Sequence, residues 1–247
     1  MIRFDGFTKH YGRLIAVSGL DLTVEPGETL ALVGPNGSGK STTLKAALGL
    51  VRPTRGRVEV DGLDVQRQGR ETRARLGYLP QGLSFPDGCT AREVMRFVAR
   101  LRGLEEREIP ALLDRVDLLA AADREASSFS GGMKQRLGLA LALLGGPRAL
   151  VMDEPTAALD PTGSLAVRDL VKEIGREGTT VVISSHDLGE VAALADRVAV
   201  FVAGRLALLG SVEELGRSMV SPDVQARERM LEEVYRVVAS STAPRVA

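Results

Sequence analysis

Read for hydrophobic and polar positions, the chain alternates short apolar runs rich in β-branched residues with longer stretches of helical spacing. LALVG precedes a helical pattern over 40–50, LGYLP one over 90–101, ALVMDE one over 163–174, and TTVVISS one over 188–195. Strand followed by helix, repeated in this way, predicts an α/β core with a largely parallel sheet. LDLTVE and GRVEVDG, flanked by Gly and Pro, predict instead the hairpin pieces of an antiparallel layer. Between Gln81 and Ser130 the strand signal disappears, which predicts a helical insertion. Its first helix opens on TARE, where Thr90 can cap the N-terminus and Glu93 can bond back, and a second follows in PALLDRVDLL. The opening MIRFDGFTKHYG reads as polar and turn-rich. After about Ser218, SPD breaks the pattern and QARERMLEEVYRVVAS resumes it as an amphipathic helix. The expected organisation is one domain over 1–217, a helical subdomain inserted at about 82–147, and a helical appendage over 218–247.

Composition narrows the class of protein. A chain of 247 residues, 44% apolar, carries ample material for a packed core. Lysine plus arginine equals aspartate plus glutamate at 32 each, so the overall charge points to neither nucleic acid nor an anionic membrane as partner. The single cysteine, Cys89, excludes an internal disulfide framework and suits a reducing compartment, so the cytoplasm is expected. The N-terminus lacks the basic then apolar pattern of a signal peptide. Stretches such as LALALL and RVAVFVAG fall far short of the roughly 18 to 20 apolar residues that span a bilayer. Any membrane role therefore has to come through a partner.

Candidate chemistry sits at the ends of the apolar strands. GPNGSGKST, comprising Gly34, Pro35, Asn36, Gly37, Ser38, Gly39, Lys40, Ser41 and Thr42, fits G-x-x-x-x-G-K-[ST] between a strand and a helix. The glycines let successive N–H groups turn inward around phosphates, Lys40 neutralises the β- and γ-oxygens, and Ser41 can ligate Mg²⁺. The alternative is a glycine-rich turn that only packs well. ALVMDEP ends its strand in two carboxylates. In a phosphate-loop protein Asp153 would hold the metal, and Glu154 could orient or deprotonate a water aimed at the γ-phosphate; standing alone, such a pair would read as a helix N-cap. His186 follows TTVVISS, where a neutral imidazole can bond the γ-phosphate or its attacking water, or serve only as hydrogen-bonded structure. Gln81 could sense Mg²⁺ or water and pass the change into the insertion, and Tyr11 could stack on a base or pin a hairpin.

A second anion cradle lies almost a hundred residues away. FSGGMKQRLGLA begins with a serine and two glycines and runs on as a helix, apolar almost all round from Leu137. Such a start leaves backbone N–H groups free to hold an anion.

In order along the chain, these residues resemble the nucleotide-binding subunit of an ATP-binding-cassette transporter, over residues 1 to about 217. The resemblance implies a P-loop NTPase core with a mostly parallel sheet, an antiparallel β layer and a helical insertion. It implies that Tyr11 stacks adenine, Gly34 to Thr42 form the phosphate loop, and Gln81 is the lid-like glutamine that meets the metal. It further makes Asp153 the metal ligand, Glu154 the catalytic base, His186 the switch histidine, and Ala158, Leu159 and Asp160 the loop that crosses to a second subunit. Two subunits then pair head to tail, each offering Ser130, Gly131, Gly132 and Met133 to the ATP held by the other, which answers why one chain carries two cradles. The family's usual signature is Leu-Ser-Gly-Gly-Gln; Phe129 and Met133 depart from it, and Met133 puts in doubt any polar contact made by the usual glutamine.

The insertion and LEEVY, residues 231–235, look most like ATPases that drive exporters through a separate permease, and the run up to FSGGMKQRLGLALALLGGP also resembles the copper-processing ATPases of nitrous-oxide reductase maturation. Implied cofactors are ATP and Mg²⁺. Implied partners are an integral membrane permease and a second ATPase subunit, in a homodimer or a pseudo-symmetric pair, with no nucleic acid, at the cytoplasmic face of the cell membrane. A soluble cassette ATPase of the iron-sulfur assembly kind is the alternative, and a module that holds ATP without hydrolysing it is disfavoured by the presence of both Glu154 and His186.

Overall fold

The computed structural model describes residues 1–157, 159–217, 228 and 231–236. It opens with an antiparallel hairpin, β1 (Ile2–Tyr11), where the sequence reads as turns, and β2 (Leu14–Val24), which contains the expected strand LDLTV. Strand parity is hidden in β1 because Ile2 and Phe4 bury their side chains on one register and Phe7 on the other. The register shifts between Phe4 and Phe7, at Gly6, whose φ of 56° is open to glycine at no steric cost. β3 (Thr29–Val33) leads through the glycine-rich loop into α1 (Lys40–Ala47). β4 (Arg55–Val60) and the short β5 (Leu63–Asp64) complete a four-stranded antiparallel sheet in the order β2-β1-β4-β5.

After α2 (Gly69–Ala74) and β6 (Leu76–Leu79) comes the insertion. It holds α3 (Ala91–Arg102), α4 (Ile109–Arg115) and three single 3₁₀ turns, and then α5 (Gly131–Leu143). Thr90 and Glu93 form the expected capping box at the start of α3, with the Thr90 N–H donating to Glu93 Oε2 at 2.8 Å. The expected helix PALLDRVDLL stops at Arg115 and resumes only as a 3₁₀ turn over Leu119–Ala121, since Asp117 adopts a left-handed φ of 53°.

The chain continues through β7 (Ala149–Asp153), α6 (Pro161–Arg176), β8 (Thr180–Ser185), α7 (Leu188–Leu194), β9 (Arg197–Val202), β10 (Arg205–Ser211) and α8 (Val212–Arg217). The six-stranded sheet runs β10-β9-β3-β8-β7-β6, with all neighbours parallel except the β9-β10 hairpin.

Its central strands are buried on both faces, as strands of a covered parallel sheet must be. Alternate residues feed two cores. Leu30, Leu32, Val151 and Val182 pack towards α1 and the antiparallel sheet. Ala31, Val33, Met152 and Ile183 pack towards the insertion, where α6 contributes Val167, Leu170, Val171 and Ile174 at helical spacing. Of the expected appendage over 218–247, residues 231–236 are helical. That part packs back on the body, with Leu231 buried in the second core and Val234 and Tyr235 against it; the remainder, apart from Glu228, lies outside the described residues. So does Ala158.

Candidate functional site

β3, β8, β7 and β6 are adjacent and parallel, so the loops leaving their C-terminal ends meet at one edge of the sheet. From these four ends come the glycine-rich loop, His186, the Asp153–Glu154 pair and Gln81. Residues far apart in sequence thereby line one pair of connected clefts. A cleft of about 240 Å³ is bounded by Tyr11, Leu14, Ala16, the loop from Asn36 to Thr42, Gln81 and Glu154. A neighbouring cleft of about 400 Å³ is lined by Gly34, Pro35, Asn36, Gln81, Glu154, His186 and, from the C-terminal helix, Tyr235.

The glycine-rich loop is held tightly from below. A Cβ on Gly39 would lie 2.6 Å from the Ala16 carbonyl oxygen, and its φ of 110° is itself a glycine conformation. Lys40, 5% exposed, donates from Nζ to the carbonyls of Gly34 at 2.6 Å and Pro35 at 3.2 Å. Burial lowers the pKa of its ammonium, an effect only partly opposed by the nearby charges of Glu154 and Asp153. Tyr11 stands exposed at the end of β1, with Lys9 Nζ 4.8 Å from its ring centre, and it also pairs with Leu14 across the hairpin. Its ring borders the smaller cleft from the end of the hairpin.

Asp153 is buried, and its Oδ1 accepts from Ser41 Oγ at 3.2 Å and from Ser184 Oγ at 2.6 Å. A hydroxyl and a carboxylate converging in this way form an oxygen donor set suited to Mg²⁺, a hard cation that takes one or two protein ligands and completes its shell with water and phosphate oxygens. No cluster of three or more His, Cys, Asp or Glu able to hold a metal occurs among the described residues. Glu154 turns out of β7 with a left-handed φ of 53°, and its carboxylate Oε2 is hydrogen-bonded to His186 Nδ1 at 2.5 Å. Neither carboxylate caps a helix. That task falls to Asp160, whose Oδ1 accepts from the Gly163 N–H at 2.6 Å at the start of α6.

Ser130, Gly131, Gly132 and Met133 line neither cleft. Ser130 caps α5, its Oγ accepting from the Met133 N–H at 3.3 Å, and Gly132 lies beside Gly163 in the first turn of α6. Gln135 and Arg136 follow; Arg136 bonds the carbonyls of Val116 and Asp117, tying the helix start to the insertion.

Two residues escape a reading of the sequence. Ser184 and Glu190 look like ordinary strand and helix positions, yet both are at most 1% exposed. Glu190 accepts from Thr156 Oγ1 at 2.9 Å and Ser185 Oγ at 2.5 Å, joining the loop after Glu154 to the end of β8 just before His186. Burial, foremost, raises its pKa. Two serines closing an apolar strand were the only available signal.

The family model described as "ABC transporter" matches residues 17–157. The daunorubicin resistance ATP-binding protein DrrA3 of Streptomyces coeruleorubidus is 39% identical over 87% of this chain and 69% of its own. The Nod factor export ATP-binding protein I of Paraburkholderia xenovorans is 37% identical over 90% of this chain and 75% of its own. The methionine import ATP-binding protein MetN of Caulobacter vibrioides is 39% identical over 87% and 68%. A bacterial ABC transporter cassette solved as a dimer superposes with a TM-score of 0.78 at 26% identity, over 85% of this chain and 98% of that one. The same cassette as a dimer in a post-hydrolysis state, bound to ADP and Pi, gives 0.77 at 25% over the same shares.

Proposed function

The chain belongs to the ABC transporter family and is an ATPase that splits ATP into ADP and phosphate; on that footing we propose that two copies pair head to tail around two ATP molecules and drive export through a separate membrane permease. The observation that carries this reading is the separation of the two anion cradles. Lys40, Ser41, Gln81, Asp153, Glu154 and His186 gather at one edge of the sheet, while the N-terminus of α5 at Ser130 opens elsewhere on the same chain. Each chain then supplies two half-sites, and a dimer makes two whole ones.

In the proposed site Tyr11 stacks on adenine and the N–H groups from Gly34 to Thr42 wrap the phosphates. Lys40 of one subunit and Ser130, Gly131, Gly132 and Met133 of the other enclose the γ-phosphate. Ser41, Asp153 and Gln81 hold Mg²⁺, which when bound neutralises charge developing on the phosphate oxygens. Glu154 orients and polarises the attacking water, and His186, hydrogen-bonded to Glu154, steadies that carboxylate and the γ-phosphate. Leu159 and Asp160 lie on the loop that crosses to the partner. Dimer closure then depends on the γ-phosphate that bridges both subunits, and its loss on hydrolysis lets them part. We take residues 1–217 as the ATPase unit, 82–147 as the subdomain that meets the permease, and 218–247 as an added C-terminal segment.

No helix among the described residues is long and apolar enough to cross a membrane; in the proposed assembly the chain is held at the cytoplasmic face by the permease. The drug-resistance and Nod-factor relatives support export; the methionine-import relative makes direction a question for transport assays.

The test is to express Glu154→Gln in the native cell, trap it with ATP, solubilise membranes gently and identify what co-purifies. An integral membrane protein at near-equal amount supports the permease. Recovery only from the soluble fraction, with a soluble partner, replaces it with an assembly-factor role.

A further inference from the structure

Ser184 is the next-to-last residue of β8, follows Val181, Val182 and Ile183, and has no exposed surface. A buried hydroxyl is costly unless bonded, and this one is bonded twice. In the parallel ladder Ser184 lies opposite Asp153. Its Oγ donates to Asp153 Oδ1 at 2.6 Å and accepts from the Glu154 N–H at 3.0 Å, a donor shared with the Ser184 carbonyl at 3.1 Å. Both hydroxyls on Asp153, from Ser184 and Ser41, converge on Oδ1, and no hydrogen bond to Oδ2 occurs among the described residues. The same Glu154 N–H belongs to a residue in the left-handed region, the turn that carries its carboxylate to His186. One hydroxyl therefore touches both members of the acidic pair.

We propose that Ser184 is a positioning residue for ATP hydrolysis: its hydroxyl fixes the rotamer of Asp153 and the backbone at Glu154, holding the metal-binding and water-polarising carboxylates in one geometry. The inference rests on the roles given above to Asp153 and Glu154. Ser184 touches neither Lys40 nor the glycine-rich loop through any hydrogen bond, so nucleotide binding is separable from it.

The experiment uses the full chain and Ser184→Ala. Steady-state turnover gives kcat and KM for ATP. Mn²⁺ titrated in the presence of a non-hydrolysable ATP analogue, followed by electron paramagnetic resonance, gives metal affinity without turnover. The expected result is a kcat about 10- to 100-fold lower with KM unchanged, and Mn²⁺ affinity lower by about 10-fold, the range found when a group that orients a metal ligand is removed. Ser184→Thr, which keeps the hydroxyl, is expected to retain most of both. In an Asp153→Asn background, Ser184→Ala should weaken Mn²⁺ binding no further, because the two act as one unit. Wild-type kcat and Mn²⁺ affinity in Ser184→Ala, or its full effect persisting on top of Asp153→Asn, would overturn the proposal. If instead Asp153→Asn and Glu154→Gln both turn over ATP normally, the site assignment fails first.

Discussion

Replacing Lys40 by methionine separates what its ammonium does for ATP from what it does for the fold. Nζ makes two bonds to loop carbonyls, and deleting them forfeits roughly 3 to 6 kcal/mol in gross, at about 1.5 to 3 for each charged hydrogen bond. Against this stands the cost of keeping an ammonium 5% exposed, which is several kcal/mol for a buried ion. The lowered pKa says that burial outweighs the attraction of Glu154 and Asp153. The two contributions nearly cancel, so the nucleotide-free protein should change stability by no more than about 1 kcal/mol, or about 2 to 4 °C in Tm. ATP has no such compensation. An ammonium about 4 Å from a phosphate charge gains about 4 kcal/mol at an effective dielectric of about 20. Allowing for the carbonyl bonds it shares, about 3 kcal/mol remains, or roughly 100-fold in Kd.

Titration calorimetry with ATP, beside a thermal melt, reads both quantities. Binding also has a pH signature. The free protein holds the Lys40 proton less firmly than an ordinary lysine at 10.5, and polyphosphate restores it, so ATP binding takes up a proton and weakens as pH rises towards that value. Lys40→Met should lose this slope. An ATP affinity equal to wild type would refute the electrostatic reasoning, and a collapsed melt would make Lys40 a structural pin.

His186→Ala frees Glu154 from its hydrogen bond; turnover should fall roughly 100-fold with ATP affinity retained, measured by phosphate release and calorimetry. Thr90→Ala removes one half of the α3 capping box and should cost about 1 kcal/mol in a denaturant titration, with no change in ATP binding, since α3 lines neither cleft. Glu190 has a folded pKa raised chiefly by burial, so its contribution to stability is complete below its unfolded value of about 4.5 and is lost as pH rises through the folded value. Glu190→Gln should accordingly flatten the decline in Tm between acid and neutral pH; an unchanged pH profile would show that the carboxyl does not titrate as its burial demands.

Local rules carried the sequence a long way. The glycine-rich loop between a strand and a helix, the four strand ends that bear Gln81, Lys40, Asp153 and His186, the capping box at Thr90 and the helix start at Ser130 were all legible, because each depends on the spacing of a few neighbouring residues. β1 was not, because the register shift at Gly6 breaks the alternation on which strand recognition relies. The roles of Ser184 and Glu190 were not legible either. A serine in a strand or a glutamate in a helix gains its meaning from what lies opposite, and Asp153 meets Ser184 only because β7 and β8 pair in one register. Sequence by itself determined which groups bear charge and where the backbone can bend; only tertiary structure decided which hydroxyl meets which carboxylate, because a hydrogen bond across strands thirty residues apart is set by packing and register and by no local preference of either residue.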